Sequence, residues 1–254
     1  MAAFVSDFPT MHESRRSLSS RLLRELRDSW LGEVLDLLRD DDTVVAAGLV
    51  GSLGRGDDDD WSDIDLLIVV PDTQVARFVD ARELPRADDL RLSFDARHNA
   101  PRHAGAVSGE YVIDGLPLWV DWYIYPASEA GWATDATVVF DRQGLPDLAV
   151  SFADHLAGRD IQPATVKAPD EHERLRAALI PIAAKHVVRR SPQAAKLMEF
   201  VGGPPAPEAA AAEQLDVLRQ LLFHYSHRLP DDRRTAIANY LDLVGHALSA
   251  GEPQ

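Results

Sequence analysis

Two apolar runs, residues 44–50 and 64–70, each read as a β-strand, and a short Gly- and Asp-rich loop joins them. The first run ends at Gly51-Ser52. The second is opened by Asp63-Ile64-Asp65, with ten residues between Ser52 and Asp63, and stops at Pro71. Strand residues i and i+2 point to the same face, so Asp63 and Asp65 project together while Ile64 faces away. Two carboxylates placed in this way can bind one hard cation or bridge two. Magnesium favours oxygen ligands and takes one or two carboxylates together with phosphate oxygens.

The rest of the chain supplies helices before this segment and mostly after it. A helix is expected over residues 11–38, opened by a capping-box spacing between Thr10 and Glu13. Leu18, Leu22, Leu26, Trp30 and Val34 recur every four residues and draw its apolar stripe. Past Pro71 the pattern predicts a helix over 74–83 and a half-buried strand over 91–97. A hairpin follows over 111–119, turning at Asp114-Gly115, and its second arm runs on to Tyr125. One more strand is expected at 137–140. From residue 145 the pattern is helical: 171–190 with a kink at Pro181, then 208–228 and 231–248. An α/β half, residues 1–144, is thus followed by an all-α half, residues 145–254.

Composition excludes several kinds of chemistry. The chain has no Cys, so disulfides, thiolate catalysis and zinc–thiolate sites are ruled out. A formal net charge of −15 disfavours long nucleic-acid partners, whose phosphates such a surface repels. No apolar run approaches the length of a membrane span, and the first residues lack the basic-then-apolar order of a signal peptide. These features lead us to expect a soluble, cytoplasmic protein with no membrane partner.

The order apolar strand, Gly51-Ser52, loop, Asp63-x-Asp65, apolar strand resembles the nucleotidyltransferase superfamily related to DNA polymerase β. Among its branches, the aminoglycoside and lincosamide nucleotidyltransferases are the most similar. The resemblance implies an α+β fold, a nucleotidyltransferase-type mixed β-sheet flanked by helices and followed by a C-terminal helical domain. It implies a catalytic domain over 1–144 and a helical domain over 145–254. It also implies transfer of a nucleoside monophosphate, AMP from ATP or another NTP, to a hydroxyl of a small molecule with loss of pyrophosphate. Two Mg²⁺ ions would be held by Asp63, Asp65 and a third carboxylate from a later strand. Asp121, in Leu118-Trp119-Val120-Asp121-Trp122-Tyr123, is the best match for that third group, and Asp95 is its rival. The alternation sets Trp119, Asp121 and Tyr123 on one face; a salt bridge to an arginine is the other role open to Asp121.

Other residues take roles by the same resemblance. Gly51 lets backbone approach a phosphate closely because it has no Cβ, and Ser52 adds a hydroxyl and an N–H. Arg55 is a candidate phosphate contact. Lys185, in Ala183-Ala184-Lys185-His186-Val187-Val188, corresponds to a helix lysine that reaches the triphosphate in small-molecule members. The run Asp57 to Asp60 is expected to be a solvated acidic loop. A polycationic acceptor such as an aminoglycoside would suit the acidic chain, which would make the activity one of antibiotic resistance. A protein hydroxyl, as in antitoxin-type nucleotidyltransferases, is an alternative acceptor, and nucleotide binding without turnover is a second alternative.

Overall fold

The computed structural model describes residues 11–158, 169–204 and 209–251, with side chains from residue 21 to residue 250 of those spans. Thr10 and Glu13, read as a capping box, lie outside the residues so described. The chain opens with helix α1 (Met11–Asp40), then strand β1 (Ala46–Leu49), a one-turn helix α2 (Gly51–Arg55) and strand β2 (Ile64–Val70). Helix α3 (Val75–Val79) leads to strands β3 (Leu90–Asp95), β4 (Gly105–Ile113), β5 (Leu116–Pro126) and β6 (Thr137–Asp141). Among the described residues six helices follow: α4 (Phe152–Ala157), α5 (Pro169–Ala178), α6 (Ile180–Val188), α7 (Ala194–Phe200), α8 (Ala211–Tyr225) and α9 (Asp231–Gly251).

The strands form a mixed sheet in the order β3-β4-β5-β2-β1-β6. Every neighbouring pair is antiparallel except β2 and β5, which run parallel at its centre. Strands in that position are covered on both faces, and β2 is accordingly buried along its length save at Asp65. The β4–β5 hairpin turns at Asp114 and Gly115, both with positive φ (50° and 74°), as the Asp-Gly pair demands. The expected α+β architecture is therefore the observed one.

One sheet face carries Ile64, Leu66, Ile68, Val120, Trp122 and Ile124 and packs on α1, α6, α8 and α9 in a single apolar cluster. The halves read from the sequence thus share a core: Trp30 of α1, Ile180 of α6 and Leu241 of α9 meet in it. The opposite face carries Leu67, Val69, Tyr123 and Tyr125 under Trp132 and Phe152. Among the described residues no helix is long and apolar enough to cross a membrane.

Three local readings are corrected. The buried stripe of α1 runs Leu23, Leu26, Trp30, Val34 and Leu38, while Leu22 is exposed. A strict four-residue repeat drifts around a helix of 3.6 residues per turn, so Leu22 rotates out of the face that holds Trp30. The 171–190 segment is two helices, broken at Leu179, with Pro181 in the first turn of α6 where its missing N–H costs nothing. Strand β4 begins at Gly105, well before the hairpin arm read from the alternation.

Trp30 anchors the helical face. It is buried, and its indole meets Tyr111 edge-on at 4.7 Å and Trp122 at 6.4 Å. We expect Trp30→Ala to cost about 3–5 kcal/mol of stability, as large-to-small core changes of aromatic residues do. Urea unfolding of the purified chain checks this, and a loss below about 1 kcal/mol would contradict the packing described.

Candidate active site

The parallel register between β2 and β5 sets Asp65 directly opposite Asp121. Partners across a parallel pair point to the same face, so the two carboxylates stand side by side where β1 gives way to α2. Asp63 lies two residues before Asp65, just ahead of β2. The three expected acids are thereby brought to one end of the sheet. Asp95 is not: it sits on β3 in register with Val107, which itself pairs with Trp122, so it belongs to the opposite face. There Asp95 accepts the backbone N–H of Arg97 at 3.0 Å.

Gly51 makes this arrangement possible. Its φ is +65°, and a Cβ at that position would lie 2.2 Å from Asp65 Oδ2. Any other residue would be strained by the backbone and would also strike the carboxylate. The turn is closed by the Val50 N–H donating to the Asp65 carbonyl at 3.0 Å. Gly51 and Ser52 then open α2, which ends on Arg55 and a left-handed Gly56. Arg55 lies exposed at that end and donates to both oxygens of Asp57, at 3.0 and 3.2 Å, so its guanidinium is turned to the loop.

The electrostatics of the acids differ one from another. Asp65 is pushed up to about 8, first by burial and then by the charges of Asp121 and Asp63, with Lys185 and Arg55 opposing. Asp121 is pushed up to about 6 by burial and by Asp63, and hydrogen bonds from Ser108 and Trp119 oppose the rise. Both keep a partly solvent-open edge, so the site is packed without being sealed. Tyr123 shares their face, and burial and the charges of Asp65 and Asp121 raise its phenol. Asp63 forms an ion pair with the buried ammonium of Lys185 from α6. A residue of the helical half is thus inserted into the carboxylate cluster.

The acidic loop is not solvated as the sequence suggested. Asp58 pairs with Arg27 of α1 at 2.8 Å, Asp60 with Arg24 of α1 at 2.8 Å, and Asp59 with Arg189 just past the end of α6, whose Nε donates at 2.8 Å. Asp59 also accepts from the Trp61 N–H at 2.9 Å and the Ser62 hydroxyl at 3.0 Å. The arginines come from helices remote in sequence, so an isolated acidic run could not reveal them. Ser108 and Trp119 donate to Asp121 and are not marked by any motif in the sequence. Trp119 was legible as a face-mate of Asp121, but Ser108 lies in the part of β4 that carried no strand signal.

Whether these residues suit a divalent cation follows from their chemistry. They offer hard oxygen donors only, and the burial and neighbouring acid charges that raise Asp65 and Asp121 mark a site short of positive charge. As the side chains stand, no three His, Asp or Glu among the described residues converge into a cage, and the Lys185 ammonium sits on Asp63. The donor set fits a metal shared with phosphate oxygens, as magnesium is commonly held, rather than an all-protein cage.

Residues 31–98 match the family model of the nucleotidyltransferase domain, a stretch that contains Gly51, Ser52, Asp63 and Asp65. No curated protein sequence matches the chain. The STING-associated CdnE c-di-GMP synthase from Capnocytophaga granulosa is similar over 95% of this chain and 87% of its own, at 11% identity and a TM-score of 0.33. A likeness that distant carries no argument about chemistry.

The raised Asp65 makes stability depend on pH. In the folded protein it holds its proton up to about pH 8, whereas in an unfolded chain it ionises near pH 4. Between these values the folded state binds more protons, so stability falls as pH rises, by at most about 1.4 kcal/mol per pH unit from this group. Asp65→Asn is expected to gain stability over the wild type at about pH 8 relative to about pH 5, measured by urea unfolding in EDTA. An equal difference at both pH values would contradict the electrostatics described.

Proposed function

We propose that this chain, a transferase enzyme by its nucleotidyltransferase domain, moves AMP from ATP, or the corresponding group of another NTP, to a hydroxyl of a small molecule. The observation that carries the reading is the Asp65–Asp121 register, with Asp63 two residues earlier and Gly51 against Asp65. In-line displacement at an α-phosphorus requires positive charge where negative charge gathers, and carboxylates so placed would hold the cations that supply it. Divalent cations held by Asp63, Asp65 and Asp121, two Mg²⁺ in our reading, would supply neutralisation of triphosphate charge.

The chain's own residues take the remaining roles. The backbone at Gly51 and the hydroxyl of Ser52 bind the triphosphate where α2 begins, with Arg55 a more distant contact. Lys185 is shared between Asp63 and the β- and γ-phosphates once the nucleotide is bound. Asp121 accepts the proton of the acceptor hydroxyl. The freed oxygen bonds to the α-phosphorus as the bond to the β-phosphate oxygen breaks, and pyrophosphate departs. Residues 1–144 act as the catalytic domain, and residues 145–254 contribute Lys185 and bear on acceptor choice. An aminoglycoside-like polycation suits a chain of net charge −15, and such an activity would confer antibiotic resistance in the cytoplasm.

Pyrophosphate release from ATP with Mg²⁺, across a panel of aminoglycosides and lincosamides, tests the reading. We expect release that depends on one compound, and a loss of at least about 10²-fold in Asp63→Ala and Asp65→Ala with melting behaviour retained. Turnover in either variant equal to the wild type would refute the assignment. Release dependent on an added protein would move the acceptor from a small molecule to a protein hydroxyl.

A further inference from the structure

Asp121 and Asp63 are held in opposite ways. Asp63 has a cation on it, the Lys185 ammonium. Asp121 receives only neutral donors. The Ser108 hydroxyl donates to its Oδ1 at 2.5 Å and the Trp119 indole N–H donates to the same oxygen at 3.2 Å. No Lys or Arg forms an ion pair with it among the described residues, which removes the salt-bridge role the sequence left open. Two donors on Oδ1 leave Oδ2 without a hydrogen-bond partner among those residues.

The donors are placed by sheet geometry. Ser108 on β4 pairs in register with Asp121 on β5, so both side chains rise from the same face next to each other. Trp119 precedes Asp121 by two residues on β5 and shares that face. The register partner of Trp119 is Glu110, buried and ion-paired to Arg233 of α9. That pair ties the β4 segment bearing Ser108 to the helical half. An indole can only donate, so Trp119 can hold Oδ1 only as a lone-pair acceptor. Neutral donors orient a carboxylate without cancelling its charge.

We infer that Ser108 and Trp119 are positioning residues that fix the Asp121 carboxylate by one oxygen and present the other, still anionic, to the metal and acceptor. The inference rests on the proposed role of Asp121. It goes further in assigning a function to two residues outside the nucleotidyltransferase match, which ends at residue 98. Hydrogen-bond partners of ligating carboxylates commonly set metal affinity as strongly as some ligands do.

Mn²⁺ binding to the full chain, measured by titration calorimetry with and without ATP, tests this directly and needs no turnover. Asp121→Asn, Ser108→Ala, Ser108→Thr and Trp119→Phe are compared with the wild type, each with its melting temperature. We expect Ser108→Ala and Trp119→Phe to weaken Mn²⁺ by about 10-fold or more, and Ser108→Thr, which keeps the hydroxyl, to stay within about threefold. A purely structural effect of the alanine would appear in its melting temperature and would not be reversed by threonine. Wild-type Mn²⁺ affinity in both Ser108→Ala and Trp119→Phe, with Asp121→Asn impaired, would overturn the inference and leave the role of Asp121 standing. Wild-type affinity in Asp121→Asn would instead overturn the role of Asp121, and the inference with it.

Discussion

Two carboxylates set opposite each other across a parallel strand pair repel, and protein packed around them makes the repulsion stronger. The register of β2 with β5 nevertheless holds Asp65 against Asp121, and Asp63 adds a third acid at the same end. Much of the surrounding structure is organised to tolerate this. The strands are locked by apolar cover on both faces, Leu66 and Trp122 on one side and Leu67 and Tyr123 on the other. Gly51 yields the room that Asp65 needs, and Lys185, Ser108 and Trp119 each relieve one part of the load. Local instability kept at a working site and offset by packing elsewhere is a common division in enzymes.

The relief is uneven, and the unevenness has chemical content. Asp63 is matched by a full charge from α6, Asp121 by two neutral donors, and Asp65 by the positive charge that reaches it from Lys185 and Arg55. The site therefore retains a net demand for positive charge. On the function we propose, divalent cations accompanying a nucleoside triphosphate would meet that demand.

What the sequence disclosed follows the range of the interactions involved. The Gly51-Ser52 and Asp63-x-Asp65 elements were legible because their geometry is local: a turn, and an alternation along one strand. Asp121 stands out in the sequence because the acid interrupts an apolar strand. The hairpin at Asp114-Gly115 was legible from its turn residues alone. Ser108 was not, because its role depends on which residue of β5 it faces, and pairing register is a property of two strands. The arginine partners of Asp58, Asp59 and Asp60 are hidden for the same reason: Arg27 precedes Asp58 by 31 residues, Arg24 lies further back on α1, and Arg189 follows Asp59 by 130 residues. Leu22 misled because a four-residue repeat imitates a helical stripe only over short stretches.

The clamp on that acidic loop bears on how this protein can be taken apart. The segment between Gly51-Ser52 and Asp63-x-Asp65 is gripped from one side by α1 and from the other by Arg189 at the end of α6, and Lys185 of α6 reaches Asp63 one turn further in. The helical half is therefore not an exchangeable attachment to a self-sufficient catalytic half. Grafting a different set of helices after residue 144, to redirect such an enzyme to a new acceptor, would withdraw two cations from the loop and the cluster at once. Modular engineering of this fold has to carry α6 along with the sheet and confine its changes to helices that touch neither.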